Sequence, residues 1–82
     1  MIVRLPFTPA EVALAVSVVK RDRADLWARL IEHERRNEGF ADISHELIST
    51  LRRLKLTSRL PEMTELLRAL RRAARVEAGL WV

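Results

Sequence analysis

Two segments begin like the zinc-binding pattern H-E-x-x-H: His33-Glu34-Arg35-Arg36-Asn37 and His45-Glu46-Leu47-Ile48-Ser49. On a helix that pattern sets two imidazoles one turn apart on one face, with the Glu available as a general base beside the metal. Here Asn37 and Ser49 stand where the second imidazole would be, and the chain has no cysteine to replace it. The sequence therefore predicts no metal site and two ordinary, exposed histidines. Glu32, Glu34 and Glu38 crowd the same stretch, but Arg35 and Arg36 interleave with them, the pattern of a solvated face.

Nucleophilic and phosphate chemistry have even less to work with. Ser17, Ser44, Ser49 and Ser58 lie in no glycine-flanked elbow. Gly39 and Gly79 are the only glycines, and each sits where a helix would close, so a phosphate-cradling loop is absent. With no nucleophile–base or acid–base pair in view, the expectation is no enzyme, no cofactor and no small-molecule substrate.

Charge is the feature that points outward. Between Leu47 and Arg75 stand eight cations (Arg52, Arg53, Lys55, Arg59, Arg68, Arg71, Arg72 and Arg75) against two acids, Glu62 and Glu65. That local excess is larger than the +4 of the whole chain. The pI near 11 overstates it, because arginine supplies thirteen of the fifteen cations and never deprotonates. Arg68, Arg71, Arg72 and Arg75 follow i, i+3, i+4, i+7 spacing and form a helical stripe. The plain reading of such a stripe is a solvated face whose cations complement a helix dipole. The functional reading is a contact surface for an acidic protein, since guanidinium forks match carboxylates. Nucleic acid is the alternative, met through phosphates with a steep salt dependence. A helix-turn-helix would read bases with the first turns of the last helix, which here carry Glu62 and Glu65. That placement favours the protein partner.

The elements that must carry these residues read as all-α. Thr8-Pro9-Ala10-Glu11 has the composition of a helix start: a hydroxyl cap, proline at the first helical position, and a Glu able to reach back. Val12, Val16, Val19, Leu26 and Leu30 keep one helical phase, with Trp27 and Ile31 along its edge, through the charged run Lys20–Asp25. The phase predicts one long first helix, about 9–38, continuous or slightly kinked, with a second helix capped by Asp22 as the competing reading. Arg21–Asp25 and Asp25–Arg29 are spaced for surface pairs along it. Trp27 lies on the core side. Gly39 is expected to take a left-handed cap, and Asp42 or Ser44 to cap a helix over about 43–56 with Ile43, Leu47, Leu51 and Leu54 inward. Thr57–Pro61 breaks the pattern. The last helix, about 61–78, starts at Pro61, turns Met63, Leu66, Leu67, Leu70 and Ala74 inward, and ends at Gly79. Met1–Phe7 favours extended structure, and Leu80–Val82 is an apolar tail.

The result is a single domain over 1–82, three helices with a short extended N-terminal segment. A thirty-residue helix is about 45 Å long, more than the roughly 30 Å diameter expected of a chain this size. From Val12 to Val19 only Ser17 is polar, and a helix apolar all round is normally covered all round. Either the helix bends near Lys20–Asp25 and both tails fold over it in a monomer, or it overhangs onto a second copy; the second is the expectation, a homodimer built on Val12, Leu14, Val16, Val18, Val19 and Trp81. No apolar run approaches the ~18 residues of a membrane span, and no signal-peptide pattern is present, so a cytoplasmic location is expected. The functional expectation is a small protein–protein interaction module, an adaptor, inhibitor or assembly subunit, that presents the eight cations to an acidic partner.

Overall fold

The computed structural model describes residues 7–56 and 60–80, with the backbone alone at 60 and 61. They form four helices: α1 (Pro9–Asp22), α2 (Ala24–Arg35), α3 (Ala41–Arg53) and α4 (Leu60–Glu77). No strand occurs among the described residues. The extended reading of Met1–Pro6 and the placement of Trp81 and Val82 lie outside them.

The long first helix is the main correction. It breaks at Arg23, whose φ of −135° and ψ of 59° leave the helical region. Arg23 closes α1 and opens α2, and Asp22 is the last residue of α1 rather than the cap of α2. The joint keeps its backbone bonds: the Arg23 N–H donates to the Val19 carbonyl at 2.9 Å, and the Arg23 carbonyl accepts from Trp27 at 3.1 Å. A straight helix would have overrun a body measuring 37 × 29 × 21 Å. The break at Arg23 leaves the same apolar face turned inward in both halves, so a shared phase does not separate a straight helix from a bent one.

The core draws on all four helices: Ala15 and Val19; Leu26, Trp27 and Leu30; Ile43, Leu47 and Leu51; Met63, Leu66, Leu67, Leu70 and Ala74. Trp27 is buried as expected, and α4 turns its whole expected stripe inward. Leu54 is only half-buried. Helix α4 sits in the middle of the bundle, touching α1, α2 and α3.

Helix ends follow local chemistry, with two surprises. Thr8 Oγ1 accepts from Glu11 N–H and the Glu11 carboxylate accepts from Thr8 N–H, each at 3.2 Å, with Pro9 behind them. Gly79 takes a left-handed φ of 79° and closes α4. Helix α2, however, is closed by Asn37 at φ 57° rather than by Gly39. Asn tolerates that region better than most side chains. The Glu38 N–H then reaches back to the His33 carbonyl at 2.8 Å. Neither Asp42 nor Ser44 caps α3. Its N-cap is Phe40, with no side-chain bond, because the helix begins at Ala41 and leaves both polar residues inside the first turn. Helix α4 begins at Leu60, one residue ahead of Pro61.

Candidate interaction surface

The cations expected on one face are sorted by the fold into separate places. Arg52 and Arg53 end α3, and Lys55 follows at a left-handed φ of 56°. All three are exposed, and none meets a carboxylate among the described residues. Arg59 lies outside those residues. Arg68 is exposed and bridges to Glu65 one turn back at 2.7 Å. Such an exposed bridge contributes ~0–1 kcal/mol.

Arg71 and Arg75 are not part of an outer stripe. They face α2 and close on Glu34, whose side chain is only 3% exposed. Arg71 Nε lies 2.6 Å from Glu34 Oε1. The contact runs off the N–H direction, so it is an ion pair without hydrogen-bond geometry. Arg75 Nε donates to Oε2 at 3.2 Å. The Arg71 guanidinium also lies 5.3 Å from the centre of the Phe40 ring and donates weakly, at 3.5 Å, to the Glu38 carbonyl. One carboxylate thus ties α2 and the α2–α3 turn to α4.

Reading Glu34 as part of a solvated face is therefore overturned. The spacing held the signal: Leu26, Leu30 and Glu34 follow one another at i, i+4, which puts a carboxylate in the apolar phase of α2. A buried carboxylate needs cations, and Arg71 and Arg75 stand one turn apart on another helix, the spacing that lets two guanidiniums grip one carboxylate.

One of the two histidines sits within the structure as well. His45 is exposed, but His33 is half-buried. Its Nδ1 lies 3.2 Å from Glu38 Oε2 and its Nε2 3.2 Å from Asp42 Oδ1, which sets the imidazole between two carboxylates where α2 passes to α3. Among the described residues no group of side chains could hold a metal ion.

At the α1–α2 joint, the Arg23 guanidinium donates twice to Asp25, at 3.1 and 2.9 Å, and once to Glu46 of α3 at 3.3 Å. Arg29 reaches the other Glu46 oxygen at 3.1 Å. The hydrogen bonds from Arg23 hold the Asp25 carboxyl down at about 2, and the same bonds raise Arg23. Surface pairs from Asp25 to Arg21 and Arg29 do not form. The break redirects Asp25 to Arg23, while Arg21 meets Asp22 at 3.0 Å.

The other flank of α4 faces α1 and is open. Phe7, Pro9, Val12, Ala13, Val16 and Ser17 on one side, and Ala69, Arg72 and Ala73 on the other, line a groove of about 680 Å³. Arg72 is exposed there and meets no carboxylate among the described residues. Val76, one turn further along α4, is 58% exposed.

This arrangement redraws the expected dimer surface. Val18 and Val19 are buried within the chain and are unavailable to a partner. Val12 and Val16 line the groove, Leu14 is 54% exposed, and Trp81 lies outside the described residues. Among the described residues no helix is long and apolar enough to cross a membrane. Comparison with protein-family models, curated proteins and solved structures yields no match.

Proposed function

We propose that the chain is a non-enzymatic protein–protein interaction module that acts in the cytoplasm, associates with itself, and offers cations to an acidic protein. The observation that carries this reading is the open flank of α4: an apolar groove against α1, with Val76 uncovered one turn further along α4. Exposed apolar area gathered on one face is the usual mark of a contact surface. Glu34 and His33, the residues with the best claim to chemistry, already have charged neighbours within the chain, which favours binding over turnover. The acidic protein meets Arg52, Arg53 and Lys55. Arg68, Arg71 and Arg75 drop out of that contact because they already hold Glu65 and Glu34.

The test titrates the chain with three labelled probes, a Glu-rich amphipathic peptide, a DNA duplex and a single strand, at low and at moderate salt. Peptide binding that falls at least tenfold in the variant Arg52→Glu/Arg53→Glu/Lys55→Glu supports the reading. No peptide binding at low salt overturns it. Tighter binding of either nucleic acid, lost steeply as salt rises, overturns it in favour of a nucleic-acid-binding protein.

A further inference from the structure

We infer that the open α1–α4 flank is covered by a second copy of this chain, with the two α4 helices antiparallel about a two-fold axis beside Ala69. The inference rests on the interaction-module reading and names the partner of its open face.

The charge order along the flank carries the argument. Glu65, Ala69, Arg72, Ala73 and Val76 succeed one another at helical spacing, so they share one side of α4. The acids, Glu62 and Glu65, stand toward the N-terminal end, the cation comes two turns after Glu65, and small side chains lie between and beside them. The flank carries its acids, Glu62 and Glu65, toward one end and the cation Arg72 toward the other, so the surface that best matches it is the same surface reversed. An antiparallel pair sets Glu65 of one copy against Arg72 of the other, and makes that contact twice. A parallel pair would set each Glu65 against its own copy, and like charges in register are destabilising.

The register fits the geometry. Midway between Glu65 and Arg72 lie Arg68 and Ala69. Each charge is then about 5 Å along the helix from the axis. Helices crossing at small residues approach to about 8 Å, within reach of a Glu and an Arg side chain. Glu65 has room for a second cation, since its bridge to Arg68 uses Oε1 alone. Arg72 meets no carboxylate within its own chain among the described residues. The incoming α4 would lie over the groove and cover Val12, Val16 and Ala73.

The flank is about two helix widths across and fourteen residues long. A pair therefore buries on the order of 1,000 Å² in total, the lower end of specific interfaces. The association is consequently weak and reversible, and the measurement must extend into the submillimolar range.

Sedimentation equilibrium of the full chain from micromolar to submillimolar concentration tests the inference, with circular dichroism confirming helix content in each variant. The parent chain dimerises. Glu65→Arg alone and Arg72→Glu alone each lower the association constant at least tenfold, because each variant places like charges together twice. Mixed one to one, the two variants associate again as a heterodimer, since every introduced charge then meets its opposite. The absence of cysteine from the chain gives a second readout independent of charge. Ala69→Cys places one thiol beside the axis and forms a disulfide-linked dimer on mild oxidation, whereas Leu14→Cys does not. A parent chain that stays monomeric, single variants that dimerise like the parent, or a mixture that stays monomeric would each overturn the inference. If the acidic peptide still binds through Arg52, Arg53 and Lys55 in that case, the module reading stands without the dimer. If peptide binding is lost as well, both fall.

Discussion

Arg71 and Arg72 adjoin in sequence and lie on opposite flanks of α4. Arg71 turns to α2, grips a buried carboxylate and rests against an aromatic ring. Arg72 turns to the α1 groove and meets no carboxylate among the described residues. One flank is closed around a buried carboxylate; the other, where α1 and α4 are joined by the exposed Lys20–Glu77 pair at 2.8 Å, is left open beside apolar side chains. On a helix, neighbouring residues point about 100° apart, so a run of arginines is never one surface. What each contributes depends on which neighbour supplies a carboxylate. Glu34 supplies it on the closed flank, and no residue of α1 does on the open one.

The closed flank should break most severely. Glu34→Ala leaves two guanidiniums facing each other across a gap once filled by their shared counter-charge. Removing one partner of a buried ionic cluster typically costs 3–5 kcal/mol. Arg71 and Arg75 are each about one-third exposed and can turn partly toward water, so about 3 kcal/mol is expected, the lower end of that range. Urea denaturation measures it. Replacing Glu34, Arg71 and Arg75 together with methionine should recover most of the loss, because no charge is then left buried. Arg72→Ala, one residue away, should leave the denaturation midpoint unchanged. Equal losses for Glu34→Ala and Arg72→Ala would erase the distinction between the flanks.

A smaller effect sharpens the open flank. Thr8 caps α1 through the reciprocal pair with Glu11, beside Phe7 and Pro9 on the groove wall. Thr8→Ala should cost about 1 kcal/mol. Hydrogen exchange should show where: the amides of Glu11 and Val12 lose protection, while those of Leu70 and Ala74 keep theirs in proportion to global stability. Uniform loss at all four amides would mean that the α1 end and the closed flank open as one unit.

Much of this was legible in the sequence, and the gaps have physical causes. The inward stripe of α4, the Thr8 start and the Gly79 end depend on spacing and local chemistry, and both are written along the chain. The break at Arg23 was legible only as an alternative: length allowed a bend near Lys20–Asp25, but Val19 and Leu26 keep the same phase in a straight helix and in a bent one. The split among the arginines was not legible. Their spacing placed them on a helix, but Glu34 lies on α2 and reaches Arg71 and Arg75 only through tertiary packing. Its place in the Leu26–Leu30 phase was the available clue, obscured by Glu32 and Glu38 on either side. Gly39 and Asn37 show the same limit at a helix end. Both could take the left-handed cap, and a shift of two residues in where the helix stops decided between them.

The smallest effect belongs to the joint that holds α1 beside the groove. Arg23 clamps Asp25 with two hydrogen bonds and keeps its carboxyl at about 2. A folded-state value below the ordinary ~3.9 means that this contact stabilises the fold fully above about pH 4. The contribution fades as pH falls through about 2, where the folded carboxyl takes up its proton. The Asp25 side chain is 61% exposed, so the fold itself should survive, and the effect belongs in the titration rather than in the denaturation midpoint. NMR titration of the Asp25 carboxyl should give a midpoint near 2 in the parent chain. In Arg23→Gln the midpoint should rise toward ~3.9, because a neutral amide supplies neither the charge nor the paired donors. The variant should also lose protection at the α1 end without disturbing Glu34, since Arg23 touches Asp25 and Glu46 but neither Arg71 nor Arg75. A midpoint unmoved by Arg23→Gln would show that the Asp25 backbone contacts, not the clamp, hold the carboxyl low. The position of α1 against the open flank would then rest on core packing alone.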